Sequence, residues 1–462
     1  MAYERKFSIL QPQECPCKKT RYGAIFSPYS PSAPIILPNI RLDDILRRRA
    51  EQPQPENAER EEDVAIETQH PQPRHAALFT ELPPPPPPTR APTPPPTPSI
   101  PRFLLRSVRG SRNPTVRGAF AGQQMPPQPR TDVTSRPEYV GPRTAKDHTE
   151  YSLDGLLTNG FQYVPWPGRK PQPVLDATGA CLMVLGSWPN DPAWDSLQHQ
   201  ACDDIDGAKE HCTFTAEQLR HRRGSYPSLS IGVSFGGGQV CPGNLWNSKK
   251  SSTALQSLIS KLFFRRMAGF SDNTFGTFYP KTYEDYATVL DALCADNPSL
   301  RRNFIECVWA AATINFGPDA YTDPHTDFLN LVRGMCAVWA LGHFDPKKGG
   351  HLIIWDLKLV IEFPPGSCIL LPSALLEHSN LPIRKGERRC SFVMYTAAGL
   401  FRWVENGMMS DIEYVQTAEG AQEWRERRVA LALKNFCAFS NWDSLVEQQT
   451  AKLASSHRLH RT

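Results

Sequence analysis

Apolar residues recur every three to four positions along "TALQSLISKLFFRRMAGF" (253–270) and "KTYEDYATVLDALCA" (281–295). That spacing predicts helices with one buried face. "DPAWDSLQHQACDDI" reads as a third amphipathic helix, opened by a capping Asp191 and by Pro192. Between them the pattern changes. "DATGACLMVLGSWP" (176–189) reads as a strand, and "RRGSYPSLSIGVSFGGGQVCPGN" as a strand running into a glycine-rich loop. Gly236-Gly237-Gly238 lacks the Gly-Lys-Ser/Thr ending of a phosphate loop and is read as tight turning. Beyond residue 300 come short β-rich segments: "CVWAAATINF", "MCAVWALGHF", "HLIIWDL", "LVIEFPPG", "SCILLP" and "RCSFVMYTA". The turn signals "DPKKGG", "PPG" and "RKGE" separate them. Closely spaced strands with short turns predict an antiparallel double-stranded β-helix, the jelly-roll arrangement. The fold class is α+β, a jelly-roll core with supporting helices, and "AQEWRERRVALALKNFCAF" is expected to pack outside it as a last helix.

Composition narrows where that core lies. From about residue 50 to 145 the chain holds "ELPPPPPPTRAPTPPPTPSIP" and a Glu-rich run, with few apolar residues to offset the entropy of ordering. Residues 1–145 are therefore expected to form a disordered, Pro-rich arm before the domain at 146–415 and a C-terminal helix and tail at 416–462. The net charge of +4 is unevenly placed: 1–145 carries 20 Lys/Arg against 14 Asp/Glu. Residues 101–130 contain six arginines (Arg102, Arg106, Arg109, Arg112, Arg117, Arg130) and no acid, which suits contact with phosphates as well as it suits a solvated linker. The 12 cysteines form no CxxC pair and read mainly as small apolar core residues. There is no signal-peptide h-region and no apolar run long enough to span a membrane, so an intracellular, nuclear location is expected.

The chemistry sits in "DPHTDFLNLVRG" (323–334). In a strand, residues two apart face the same side, so His325 and Asp327 would point together into the barrel. His378 lies 51 residues after Asp327, just past the strand "SCILLP". Two histidines and one carboxylate are the facial triad of non-haem Fe(II) oxygenases, which leaves positions open for an oxoacid and O2. A dicarboxylate cosubstrate needs a cation for its far end. In "GERRCSFVMYTA", Arg389 and Ser391 share a strand face while Arg388 points the other way. His343, His351 and Asp356 lack the spacing of ligands; Asp356 is read as bonding a turn.

These residues stand in segments that resemble the TET/JBP family of 2-oxoglutarate- and Fe(II)-dependent nucleic-acid base oxygenases, and in particular its fungal, transposon-associated branch. The resemblance runs over about 175–410. "SIGVSFGGGQVCPGN", "FYPKTYEDY", "HTDFLNLVRG" and "HSNLPIRKGERRCSFVMY" follow in the family's order, and "GGHLIIWDLKLVIEFPPGS" and "GLFRWVENG" are similar to the fungal branch. It implies that His325, Asp327 and His378 hold Fe(II), and that Arg389 with Ser391 binds the 2-oxoglutarate C5 carboxylate. Asn330 would hydrogen-bond a flipped pyrimidine, and Tyr395 would line the base pocket. The implied reaction is O2-dependent oxidation of the methyl group of 5-methylcytosine in DNA. Ala397 stands where some animal relatives place a base-contacting histidine, which leaves the base open between 5-methylcytosine, thymine and an RNA base. The cysteine-rich zinc insert of those relatives is missing. An AlkB-like or protein-hydroxylating oxygenase, or an inactive DNA-binding relic of a transposon, remains the alternative. Oligomeric state is not legible.

Overall fold

Several strands late in the chain are apolar without alternation because both of their faces are covered. Every residue of Ala311–Asn315 and of Cys368–Leu371 is buried. The computed structural model describes residues 18–19, 25–26, 33–51, 151–236, 239–417, 420 and 438–448. Among these, the larger sheet has nine strands, in the order Ile35–Ile36, Gln172–Leu175, Cys181–Ser187, Cys368–Leu371, Cys336–His343, Arg388–Tyr395, Ala311–Asn315, Ser228–Ser234 and Gly243–Asn244. The smaller sheet runs His378–Asn380, Leu352–Ile354, Leu359–Ile361 and Gln162–Val164. Pairing is antiparallel in both sheets except at Ile35–Ile36 with Gln172–Leu175 and at Leu359–Ile361 with Gln162–Val164.

One strand shows how the large sheet separates core from site. Along Arg388–Tyr395, Cys390, Phe392 and Met394 belong to the main apolar core. Phe392 meets Phe264 edge-on, and Cys390 Sγ lies 3.4 Å from Cys202 Sγ on the helix Trp194–Glu210. Arg389, Ser391, Val393 and Tyr395 alternate onto the opposite face. Arg388 turns outward to Asp203 and Asp206. The helices Lys249–Ser260, Leu262–Phe278 and Pro280–Asp296 bury their apolar stripes on the core side.

Several boundaries differ from the sequence pattern. The 253–270 window is two helices, because Lys261 adopts an extended backbone and its ammonium reaches Asp204 at 2.6 Å. The helix expected from Asp191 starts at Trp194; Asp191 instead accepts the amide of Ala193, one turn earlier. The 176–189 strand begins only at Cys181, since Asp176 organises a turn through Thr178 and Ala180. Ala398–Glu405 and Asp411–Gln416 are helices that the periodicity did not show. The last expected helix, 421–439, and the arginines of 101–130 lie outside the described residues except for 438 and 439.

Residues 33–51 depart from the expectation of an arm spanning 1–145. Ile35–Ile36 adds a strand to the large sheet, and Leu42–Glu51 is a helix whose Leu42, Ile45 and Leu46 enter the core. The Asp176 carboxylate accepts the Leu42 amide at 2.9 Å and so supports the start of this helix. Arg49, on the same face as Ile45 and Leu46, donates to the Leu375 carbonyl at 3.0 Å and to Asp356 at 2.7 Å. Asp356 also accepts the amide of Glu377, beside His378. The aspartate thus bonds a turn, and the N-terminal helix is tied to that turn. Arg49→Met leaves the half-buried Asp356 carboxylate without its cation and is expected to cost about 2 kcal/mol. Urea unfolding followed by circular dichroism checks this; an unchanged midpoint would show that the Arg49 contacts contribute nothing to stability.

Candidate metal centre

His325 and His378 face each other as a backbone pair. Each donates its N–H to the other's carbonyl, at 3.0 and 2.9 Å. The His325-x-Asp327 segment is therefore not a regular strand, as the two-residue spacing suggested. It is an irregular stretch moored to the edge of the small sheet. The Asp327 amide donates to the Ser373 carbonyl at 2.9 Å, which turns its carboxylate back to the same point. Ligand atoms of His325, Asp327 and His378 lie within 4.8 Å of one another, and among the described residues no other His/Cys/Asp/Glu group converges in this way.

Both imidazoles are oriented from behind. His325 Nδ1 lies 2.7 Å from the Asp323 carbonyl and His378 Nδ1 2.9 Å from the Leu376 carbonyl. A carbonyl can only accept, so both Nδ1 atoms carry the proton and both Nε2 lone pairs are available to a metal. Burial holds His325 well below the ordinary histidine range, helped by the neighbouring His378, and burial lowers His378 as well. Burial alone would raise Asp327, but His325, His378, Arg223 and Arg222 outweigh it and bring the carboxyl to about 2. Neutral imidazoles beside an ionised carboxylate are a donor set that fits Fe(II).

The inner face of the large sheet supplies the second half of the site. Arg389 is 4 % exposed, and its Nη1 donates to the Ala320 carbonyl at 2.7 Å. Its Nε has no hydrogen-bond partner among the described residues; Asp319, which bridges it through the backbone, attracts it without a hydrogen-bonded ion pair. A buried guanidinium with no hydrogen-bonded carboxylate is costly, so this position fits a carboxylate ligand. Ser391 Oγ accepts from Asn315 Nδ2, and Asn315 Oδ1 accepts from Ser228, each at 2.9 Å. That relay leaves the Ser391 hydroxyl hydrogen to point elsewhere. Fe(II) and 2-oxoglutarate are the cofactors that these groups fit.

The two residues read as base contacts are both near the metal ligands. Asn330 is 9 % exposed and its amide nitrogen is turned inward, 3.3 Å from Cys336 Sγ and 3.4 Å from Ser373 Oγ. Its backbone bridges Ala397, so the asparagine and the position that departs from the family pattern are neighbours. Tyr395 lies close to Ser230 and Thr313, whose hydroxyls are 2.6 Å apart.

Two residues were missed in the sequence. Arg222 and Arg223 bring guanidinium nitrogens to 3.9 and 4.0 Å from Asp327 Oδ1, and Arg222 also lies over the Phe328 ring. Adjacent arginines before a strand look like a solvated turn. Their recruitment depends on the Arg223 carbonyl accepting the Asp323 amide, a contact between segments 100 residues apart.

No family model matches the chain, and no curated protein matches it. Among solved structures it is similar to NgTET1 in complex with 5mC DNA, at 12% identity and a TM-score of 0.37 over 54% of this chain and 92% of that one. It is also similar to an oxidoreductase of the 2OG-Fe(II) oxygenase family from Burkholderia pseudomallei, at 19% identity and a TM-score of 0.26 over 43% of this chain and 80% of that one. No helix among the described residues is long and apolar enough to cross a membrane.

Removing one ligand tests the centre directly. Asp327→Ala deletes the only carboxylate of the group and is expected to weaken Fe(II) or Mn(II) binding by at least about 100-fold, roughly 3 kcal/mol. Metal titration with paramagnetic detection reads this, with circular dichroism as a control for folding. Retained binding would mean that the three residues do not form the metal site.

Proposed function

We propose that the chain is an Fe(II)- and 2-oxoglutarate-dependent dioxygenase that oxidises the methyl group of 5-methylcytosine in DNA. The observation that carries this reading is the convergence of His325, Asp327 and His378, in a chain whose large sheet also holds the buried Arg389 with an Nε that has no hydrogen-bond partner among the described residues. When bound, Fe(II) and 2-oxoglutarate supply an oxidation that consumes O2 and yields succinate, CO2 and a hydroxylated methyl group.

The residues of the chain prepare that chemistry. Asp323 and Leu376 carbonyls hold the two imidazoles in one tautomer. Arg222 and Arg223, 3.9 and 4.0 Å from Asp327 Oδ1, offset the charge of this half-buried carboxylate. Arg389 would hold the far carboxylate, and Ser391, whose Oγ accepts from Asn315, would donate to it.

The choice of base rests on the sequence motifs. On those motifs Tyr395 would line the base pocket, and Asn330 would meet a pyrimidine edge. A methyl group inside a stacked duplex cannot reach a buried metal, so the base must flip out at a cost of a few kcal/mol. The arginines of 101–130 would add phosphate contacts that carry no base preference, in keeping with a nuclear protein acting on chromosomal DNA.

Incubating the Fe(II)-loaded protein with a methylated duplex, 2-oxoglutarate and O2, followed by nucleoside mass spectrometry, tests the reading. It predicts 5-hydroxymethylcytosine or its further oxidation products, with succinate release stimulated by the methylated duplex and not by an unmethylated one. Succinate release indifferent to methylation would exclude 5-methylcytosine as the substrate and favour another base or a protein side chain.

A further inference from the structure

We propose that Asp356 is a positioning residue for the metal centre: held by Arg49, it acts on the His378 imidazole through the peptide group that joins Leu376 to Glu377. The inference rests on the metal-centre reading above. It gives the N-terminal helix a part that neither the motifs nor the three ligands called for.

The connection runs through one peptide plane. The Leu376 carbonyl and the Glu377 N–H belong to the same trans peptide group and point in opposite directions. On one side the Glu377 amide donates to Asp356 Oδ2 at 2.7 Å. On the other the Leu376 carbonyl accepts from His378 Nδ1 at 2.9 Å. A carboxylate at the N–H end polarises the peptide and makes its carbonyl a stronger acceptor. A stronger acceptor behind Nδ1 makes Nε2 a better metal ligand, as when a carboxylate binds a ligating imidazole directly. Leu376 is fully buried and His378 is 8 % exposed, so water does little to weaken the relay.

Arg49 fixes the geometry. Its Nη2 donates to the same Asp356 Oδ2 at 2.7 Å, and its Nε to the Leu375 carbonyl at 3.0 Å, one peptide group earlier. A single planar guanidinium thus holds both the carboxylate and the segment on which it acts. The Trp355 amide donates to the Glu377 carbonyl at 3.0 Å and closes the frame.

His325 has no such relay. Its Nδ1 also donates to the carbonyl two residues back, but that peptide group joins Asp323 to Pro324 and carries no N–H for a carboxylate to bind. The two imidazoles are therefore supported unequally, and His325 serves as an internal reference.

The test uses the full-length protein, isotopically labelled on histidine nitrogen. In Asp356→Asn the side-chain oxygen can still accept the Glu377 N–H, but the charge is gone. Mn(II) affinity, read by paramagnetic resonance, is expected to fall about tenfold, the lower end for a group that supports a ligand from behind. In the metal-free protein the His378 Nδ1–H resonance, assigned by its loss in His378→Ala, should move upfield while that of His325 stays. A residue that only stabilises the fold would leave Mn(II) affinity unchanged in a variant shown by circular dichroism to be folded, and would not single out one imidazole. Arg49→Lys keeps the charge but cannot span both contacts. It should give the same changes at smaller amplitude, and it decides the matter if Asp356→Asn does not fold. Wild-type Mn(II) affinity in a folded variant, or equal shifts of both imidazoles, overturns the proposal. Failure of the wild type to bind Mn(II) would instead sink the metal centre itself, and this inference with it.

Discussion

The reciprocal backbone bond between His325 and His378 is the constraint on which the site depends. Two N–H groups and two carbonyls join residues 53 positions apart, and the imidazoles stand where that pair puts them. The side chains alone could not do this, since two free histidines would each lose rotamer freedom for a single metal bond. Here the backbone pair fixes both, carbonyls behind them fix the tautomers, and Ser373 turns Asp327 to meet them. The small sheet carries one half of the pair, and the Arg49–Asp356–Glu377 contacts brace the turn that leads into it.

Charge shows what the site is prepared for. Asp327 is half-buried with two arginines close by, whereas the buried Arg389 has Asp319 near it but no hydrogen-bonded carboxylate. The metal end therefore carries its compensation within the chain, while the far end awaits a ligand. A fold that buries a guanidinium without a hydrogen-bonded carboxylate sacrifices stability that a dicarboxylate would restore. At a ligand concentration 100 times its Kd the gain is about 2.7 kcal/mol.

What could be read from the sequence follows physical range. The strands after residue 300 were legible because burial on both faces leaves apolar runs between turn residues. The opposite facing of Arg388 and Arg389 was legible from alternation alone. The convergence of His325, Asp327 and His378 was legible from residue type and spacing, although an irregular segment rather than a strand produces it. Arg222, Arg223 and Asn315 were not legible. Each acquires its meaning from a partner 76 or more residues away, set by sheet register that local pattern does not encode. The helix Leu42–Glu51 did carry a signal, with Leu42, Ile45, Leu46 and Arg49 on one stripe, but charged residues and a proline-rich stretch beside it masked ten residues of order.

The central claim is that one interior holds Fe(II) on His325, Asp327 and His378 with an oxoacid beside it. Anaerobic addition of 2-oxoglutarate to the Fe(II)-loaded protein, followed by visible absorption, addresses it without any assumption about the final substrate. Chelation of Fe(II) by the oxoacid predicts a metal-to-ligand charge-transfer band that saturates at one equivalent and is lost in His378→Ala. Absence of the band in wild type, or its persistence in that variant, would contradict the account.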